Sequence, residues 1–281
     1  MSKALGFRGL AAIALTVAAF STQAAELMPD FALVAPAPVA QNSATGWFTD
    51  RYEPNSFSNV GTIQGRNDVL GIGITSAQSS ANRGGQSGSF YNTQGRQHLI
   101  SGGAGSSISA DLFIDRAWSD PANGHVRTDM WGVMSDVANA VSGYPIIGFT
   151  NYGQGGARLR VYDGNLNGGL GDWVDIGGPF GTVVYDAWTS FEILFTGTSF
   201  EFSINDNLVY TDLTTDSTTG FKSTIMQAYN FGDPAIAGAN VADYTAHWSN
   251  VSANAVPEPG SLALVGLALV GLVALRSRKV V

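Results

Sequence analysis

One short polar segment has the residue types and spacing of a calcium-binding loop. Asp163, Asn165 and Asn167 place side-chain oxygens on alternate residues, and Gly168 follows where such a loop turns sharply. This pattern is the first half of an Asp-x-Asn-x-Asn-Gly loop, whose oxygen ligands suit a hard cation. The glutamate that would close the loop is absent, because Val174 occupies its position. The other interpretation is a turn rich in Asn, Asp and Gly, which needs no cofactor.

Other catalytic and metal-binding patterns are absent from the sequence. The chain has no cysteine, so disulfides and thiolate chemistry are excluded. Its three histidines, His98, His125 and His247, are scattered, and none belongs to a His-Glu-x-x-His motif. There is no Gly-x-Ser-x-Gly nucleophile elbow either. These observations predict a protein that is not an enzyme.

The C-terminal end begins with an extended motif and continues with an apolar run. The motif consists of Val256, Pro257, Glu258 and Pro259. Its two prolines hold the backbone extended and keep a helix from running back into the preceding domain. The run over residues 261–275 carries no charge. As a helix, about fifteen residues span roughly 23 Å, which is marginal for a hydrocarbon core of about 30 Å. We predict a short transmembrane helix here.

Three cations follow the apolar run: Arg276, Arg278 and Lys279. By the positive-inside rule they would hold the end of the helix at the cytoplasmic face. Residues 254–281 thus contain an extended motif, an apolar run and a basic end, in this order. This arrangement resembles the PEP-CTERM sorting signal of Gram-negative bacteria. An ordinary C-terminal anchor, in which Pro-Glu-Pro is only a linker, is the alternative.

This resemblance implies a partner and a location. The partner is exosortase, a membrane transpeptidase that cleaves near Pro-Glu-Pro. The location is first the inner membrane, through the C-terminal helix, and then the cell surface or the extracellular space. The family is associated with exopolysaccharide and biofilm production.

The N-terminal end has the three parts of a secretory signal peptide. Lys3 and Arg8 form the basic region, residues 10–20 the apolar region, and residues 21–25 a cleavage region of mostly small side chains. Residues 1–25 are therefore predicted to be a signal peptide with a helical apolar part, cleaved after Ala24 or Ala25. An uncleaved membrane anchor is the alternative. Residues 26–45 then form a linker or lead-in strand, and residues 46–253 form the main domain.

The main domain is strongly acidic. Six charged residues belong to the two ends: Lys3, Arg8, Glu258, Arg276, Arg278 and Lys279. Nine cations and 21 anions remain between them, a net charge of −12 at neutral pH. Such a surface repels phosphate backbones, so nucleic acid is excluded as a partner.

Alternating hydrophobicity predicts the fold class. Residues 108–114 and 190–210 alternate apolar and polar side chains, and Asn205-Asp206-Asn207 forms a hairpin turn. Between the two ends, no segment keeps a helical apolar stripe for three turns, and 35 glycines in the chain favour many tight turns. The pattern predicts an all-β protein, an antiparallel β-sandwich of ten or more short strands. The order of strands over residues 60–252 resembles a concanavalin A-like or laminin-G-like jelly roll.

The jelly-roll resemblance raises the question of glycosidase activity. Laminarinase-type enzymes of this fold carry Glu-x-Asp-x-x-Glu on one strand. The four glutamates of the domain, Glu26, Glu53, Glu192 and Glu201, do not form that pattern. Asp111 and Asp115 lie about 13 Å apart if they share a strand, too far for the usual carboxylate pair. A non-enzymatic protein is again predicted.

Tryptophans are the candidates for sugar stacking. Trp131, Trp188 and Trp248 lie in alternating strand patterns, which predicts core positions. Trp118 lies next to a predicted turn and Trp173 follows Gly169-Leu170-Gly171, so these two are predicted to lie in loops and to bind glycan.

The sequence thus favours an exported, non-enzymatic surface protein that binds glycan in the exopolysaccharide matrix. The alternative is a structural or adhesive protein that binds other proteins or itself. An atypical glycosidase ranks last.

Overall fold

The alternation seen in the sequence becomes alternating burial in the structure. Phe191, Ile193 and Phe195 are buried, whereas Glu192 and Leu194 between them are partly exposed. Successive side chains of a strand point to opposite sides, so such a segment buries one face when it pairs with neighbours. The computed structural model describes residues 25–26, 46–79, 92–153 and 155–256.

These ranges contain sixteen strands: β1 (Ala25–Glu26), β2 (Trp47–Thr49), β3 (Ser56–Asn59), β4 (Leu70–Ile74), β5 (Thr93–Gly102), β6 (Ser106–Ile114), β7 (Arg127–Ser135), β8 (Val141–Gly143), β9 (Ile146–Thr150), β10 (Arg158–Asp163), β11 (Asp172–Asp175), β12 (Ala187–Phe195), β13 (Phe200–Ile204), β14 (Asn207–Asp212), β15 (Gly220–Tyr229) and β16 (Tyr244–Asn254). One helical turn, α1 (Leu166–Gly169), and four 3-10 turns occupy connections: Ser76–Gln78, Arg116–Ser119, Pro121–Asn123 and Pro179–Gly181.

The strands form two antiparallel sheets of eight strands each. The first sheet has the order β14-β13-β12-β6-β16-β4-β3, and β1 also pairs with β16. The second has the order β11-β10-β9-β7-β15-β5-β2, and β8 also pairs with β7. Some neighbours are consecutive in the chain, such as β12, β13 and β14, and others come from distant parts of it, such as β6 beside β16. The predicted all-β antiparallel sandwich is confirmed.

The core lies between the two sheets. Trp248 of β16 is fully buried, and its Nε1 donates a hydrogen bond of 2.9 Å to Thr128 Oγ1 of β7. This bond joins the first sheet to the second. Phe191 from the first sheet and Ile147 and Phe149 from the second fill the same layer.

The chain ends fall mostly outside the described residues. This applies to the predicted signal peptide before Ala25, to most of the lead-in segment 26–45, and to the C-terminal helix. In the part of the chain that the structure describes, no helix is both long and apolar enough to cross a membrane.

Candidate functional site

A row of polar side chains crosses the outer face of the second sheet. Arg160 of β10 lies opposite Gly148 of β9, Gly148 opposite Asp129 of β7, and Asp129 opposite Gln227 of β15. The neighbours of the three polar residues on their own strands lie in the core: Met130, Val161 and Met226. Because side chains alternate along a strand, Arg160, Asp129 and Gln227 point away from the core and share the outer face. We call Arg160, Asp129 and Gln227 the polar row.

The glycine in the middle of the polar row is required by its neighbours. A Cβ atom added to Gly148 would lie 2.4 Å from Asp129 Oδ1 and 2.4 Å from the carbonyl oxygen of Thr128. Both distances are far below van der Waals contact. The strand between Arg160 and Asp129 therefore carries no side chain at this point, and Asp129 Oδ1 lies over the glycine.

Only one of the two carboxylate oxygens of Asp129 has hydrogen-bond partners. Its Oδ2 accepts hydrogen bonds of 2.7 Å from Arg127 Nε and 2.5 Å from Gln227 Nε2. The side chains of Asp129 and Gln227 are fully buried, yet Asp129 Oδ1 and Gln227 Oε1 have no hydrogen-bond partner. Buried polar atoms are nearly always paired, so these two acceptors indicate a binding site.

Arg160 likewise has buried hydrogen-bond donors without partners. The residue is 7% exposed, and its buried Nε and Nη2 have no hydrogen-bond partner. Burial, followed by the positive charges of Arg127 and Arg158, lowers the pKa of Arg160 to about 9. The guanidinium is therefore cationic at neutral pH. A buried charge without a partner is costly, and such groups concentrate where ligands bind.

Aromatic rings cover this end of the row. The Trp173 ring centroid lies 3.7 Å from the Arg160 guanidinium carbon and 4.8 Å from that of Arg127. Trp173 also packs against Tyr162 at 5.3 Å between centroids. Trp131 lies on the same face with its buried Nε1 unpartnered, and Arg51 lies 4.5 Å from its ring centroid. The site therefore combines hydrogen-bonding groups with stacked rings.

The structure changes the interpretation of most tryptophans. Trp118 is not a surface platform: it lies in the 3-10 turn Arg116–Ser119, is 7% exposed, and packs against Phe149 and Tyr244. At this exposure the indole offers little surface for stacking on a sugar, so the proposed binding face does not include Trp118. Trp173 lies on the edge strand β11 rather than in a loop, and it is half-buried beside the polar row.

The three tryptophans predicted to be in the core occupy three different environments. Trp248 is in the core, as predicted. Trp131 is buried but lies on the outer face of the second sheet, in a small cluster with Val133, Ile146 and Ile225. Trp188 is only partly buried and contacts Arg66 on the first sheet, at 4.7 Å from the guanidinium carbon to the ring centroid.

The predicted calcium loop is a hydrogen-bonded turn. Asp163 Oδ1 accepts from the backbone N–H of Asn165 at 2.8 Å, and Oδ2 accepts from the hydroxyl of Tyr210 at 2.7 Å. Burial, and then this bond to Asp163, raises the pKa of Tyr210 to about 12. Asn167 and Gly168 have positive φ angles of 52° and 71° in the turn. Within the described ranges, no three His, Asp or Glu side chains are grouped as metal ligands.

Calcium is expected to leave the stability of the protein unchanged. A cation at Asp163 would have to displace the Tyr210 hydroxyl, and a ligand that binds only the folded state raises the melting temperature. We expect equal melting temperatures in millimolar calcium and in EDTA, measured by differential scanning calorimetry. A calcium-dependent rise that disappears in an Asp163→Asn variant would contradict this expectation and would support the loop.

The start of the sorting motif is attached to the sandwich. The backbone N–H of Val256 donates to Ser106 Oγ at 2.8 Å, and its carbonyl accepts from the N–H of Gly103 at 2.8 Å. The rest of the motif, Pro257, Glu258 and Pro259, and the basic end lie outside the described residues.

Sequence reasoning missed Arg127, Asp129, Arg160 and Gln227 as site residues. One signal was available, since Arg158, Arg160 and Tyr162 alternate with core residues on β10 and give that strand a charged outer face.

The fold places the protein among jelly-roll-like β-sandwiches. An alginate lyase solved in complex with alginate trisaccharide is similar, with a TM-score of 0.51 and 12% identity over 83% of this chain and 98% of that one. A β-glucanase of Bacillus licheniformis has a TM-score of 0.41 and 14% identity over 77% of this chain and 95% of that one. The carbohydrate-binding module CBM66 of Bacillus subtilis has a TM-score of 0.36 and 14% identity, over 78% and 100%. The chain spans 17% of a matching sialidase. At these identities, the likeness shows the fold alone.

The sequence comparisons concern the C-terminal end. Residues 255–279 match the PEP-CTERM protein-sorting motif. This motif is the signal that exosortase recognises, so the chain carries the sorting signal of exported proteins in Gram-negative bacteria. Among curated proteins, no sequence matches the chain.

Proposed function

We propose that the protein is an exported, non-enzymatic surface or matrix protein whose β-sandwich binds polysaccharide. The binding face is the outer face of the second sheet, at the polar row and Trp173. One observation carries this proposal: buried donors and acceptors without partners lie beside a half-buried indole ring.

This combination suits sugar rings better than other ligands. A sugar hydroxyl both donates and accepts, so it can bond to Asp129 Oδ1, to Gln227 Oε1 and to the N–H groups of Arg160. A ring face can stack on the Trp173 indole, which carries a large apolar surface. The solved alginate lyase of this fold holds an alginate trisaccharide. Polysaccharide is therefore the first ligand to test, and a concanavalin A-like or laminin-G-like domain of binding type is the assignment we favour.

The spacing of the carboxylates supports binding without hydrolysis. Asp175 of β11 is the other carboxylate in register with the row, opposite Arg160. It is three strands from Asp129, or about 14 Å at the usual strand spacing. Glycosidases with paired carboxylates need about 5 to 9.5 Å. In addition, Asp175 Oδ1 accepts a hydrogen bond from Arg158 Nε at 2.8 Å.

Trp173→Ala tests the binding face. We expect the affinity for the bound polysaccharide to fall about 5- to 150-fold. Removal of an aromatic platform costs about 1 to 3 kcal/mol for a stacked base, and we take the same range for a stacked sugar ring. The assay is isothermal titration calorimetry of the full chain in mild detergent with polysaccharide from the producing cells. Trp188→Ala is the matched control, since Trp188 also contacts an arginine but lies on the other sheet. Equal affinity of Trp173→Ala and the unchanged chain would exclude this face.

The sorting signal supplies the second part of the proposal. Exosortase would hold the chain in the inner membrane through its C-terminal helix, cleave near Pro257 to Pro259, and deliver the domain to the exopolysaccharide or biofilm matrix. The test is the C-terminal mass of the mature protein from hosts with and without exosortase. Truncation near the motif only when the enzyme is present supports this route. An intact end in both hosts would make the segment an ordinary anchor.

An adhesive protein that binds other proteins or itself is the alternative. It predicts self-association or protein partners and no response to sugars. Analytical ultracentrifugation of the full chain, with and without polysaccharide, separates the two functions.

A further inference from the structure

The polar row also indicates the chemical class of the sugar. We infer that the ligand is an acidic polysaccharide and that a sugar carboxylate binds the buried edge of Arg160. This inference rests on the proposed polysaccharide-binding function and makes it more specific.

Arg160 differs from every other arginine in the described part of the chain. The other six each form a salt bridge: Arg51 with Asp50, Arg66 with Asp111, Arg96 with Glu53, Arg116 with Asp186, Arg127 with Asp129, and Arg158 with Asp175. Arg160 is 7% exposed and forms none. Buried charges in proteins are normally paired, so the missing anion is the feature that needs an explanation.

Among the described residues, no carboxylate lies within salt-bridge distance of Arg160. Asp129 Oδ2 is bonded to Arg127 and Gln227, and Asp175 is bonded to Arg158. The strand that separates Arg160 from Asp129 carries Gly148 at this position, which adds no side chain. The segment between the two chain ends holds 21 acidic residues, yet among the described ones none pairs with Arg160. A bound ligand can supply the missing anion.

The two unpartnered donors of Arg160 match a carboxylate. Nε and Nη2 form one edge of the planar guanidinium, and their N–H bonds are nearly parallel. A carboxylate accepts two such bonds at once, one on each oxygen, which is the bidentate geometry that arginine favours. The other unpartnered atoms of the polar row, Asp129 Oδ1 and Gln227 Oε1, are acceptors. They repel a second anion and suit hydroxyl groups.

The two ends of the polar row therefore suit different chemical groups of a ligand. Arg160 at one end takes an anion, and Asp129 and Gln227, two and three strands away, take hydroxyls. At the usual strand spacing, the Cα atoms of Asp129 and Gln227 lie about 10 and 14 Å from that of Arg160. A chain of sugars that carries a carboxylate on one residue and hydroxyls on its neighbours fits this order, as in a polyuronate.

The experiment compares polymers that differ only in charge. The full chain in mild detergent is titrated with mannuronate, guluronate, galacturonate and glucuronate polymers and with the carboxyl-reduced form of each. We expect at least one polyuronate to bind, and its reduced form to bind about ten- to a hundredfold more weakly, as for a lost charged hydrogen bond. Arg160→Gln should lower the affinity for that polyuronate by a similar factor and should hardly change the affinity for the reduced form.

The controls separate this inference from the proposed function. Arg66→Gln removes an arginine on the other sheet and should leave both affinities unchanged. If reduced and acidic polymers bind equally and Trp173→Ala weakens both, the face binds polysaccharide but the carboxylate inference is wrong. Tighter binding of a sulfated polymer than of any polyuronate would also overturn it. If no polymer binds, the proposed function is wrong as well.

Discussion

Replacing Arg160 with methionine should raise the free energy of unfolding of the ligand-free protein by about 1 to 4 kcal/mol. In the folded protein this guanidinium is 7% exposed and has no salt bridge, and its Nε and Nη2 lack hydrogen bonds. In the unfolded chain water solvates the same group, so folding carries an uncompensated desolvation cost. Methionine has a similar length, fills the space under Trp173 and has no charge to desolvate. The loss of the stacking contact with Trp173 offsets part of this gain.

Urea unfolding of the full chain, followed by tryptophan fluorescence, measures this change. Arg66→Met is the matched control, because Arg66 also contacts a tryptophan but is paired with Asp111. Its removal leaves the buried Asp111 without its cation, so the free energy of unfolding should fall. Opposite signs for the two variants are the expected result. A loss of stability for Arg160→Met comparable to that of Arg66→Met would show that the folded protein already satisfies Arg160.

Gly148→Val should cost about 3 kcal/mol or more of the free energy of unfolding, at the upper end of overpacking effects. The added Cβ would lie 2.4 Å from the carbonyl oxygen of Thr128, a backbone atom that cannot move without separating β9 from β7. It would also lie 2.4 Å from Asp129 Oδ1 and push this carboxylate out of the polar row. Polysaccharide binding should therefore fall together with stability. Both are measurable, by urea unfolding and by calorimetry.

Gly143→Val is the control for this substitution. Gly143 is the last residue of strand β8 on the same sheet, and a Cβ atom added there meets no atom within 4 Å. The free energy of unfolding of the Gly143→Val variant should change by less than about 1 kcal/mol, as for an ordinary surface substitution. If the two valine variants unfold at the same urea concentration, the close approach of β7 to Gly148 is not a constraint on the fold.

The fold class could be predicted because alternation is a local signal. The alternating segments 108–114 and 190–210 fall on β6 and on β12 to β14. The strands at Ser56–Asn59 and Val141–Gly143 were not predicted. With three or four residues, they show no periodicity, and they are strands because they pair with β4 and β7.

The polar row could not be predicted in the same way. Asp129, Arg160 and Gln227 come from three strands and meet only through the register of β7, β9, β10 and β15. Sequence alone does not give the register of strands that are far apart in the chain. Gln227, between Met226 and Ala228 of the core, shows only that one polar group faces outward on β15.

The environments of the tryptophans were hard to predict for a related reason. Strand β7 is buried on both faces, so its alternation cannot tell the core between the sheets from the smaller cluster on the outer side, where Trp131 lies. Trp118 was predicted to lie in a loop because a turn follows it. Its neighbours in space, Phe149 and Tyr244, are distant in sequence and bury it.

The position of β16 determines how the domain responds to mechanical force. This strand lies between β4 and β6 in the middle of the first sheet, and Val256, two residues after it, is bonded to Gly103 and Ser106. A pull on the chain beyond Val256 acts along β16, at right angles to its interstrand hydrogen bonds. The load then falls on many bonds at once, in shear, rather than on one bond after another as in unzipping. If the chain is pulled at its C-terminal side while the second sheet holds a polymer, the domain would therefore unfold only at high force.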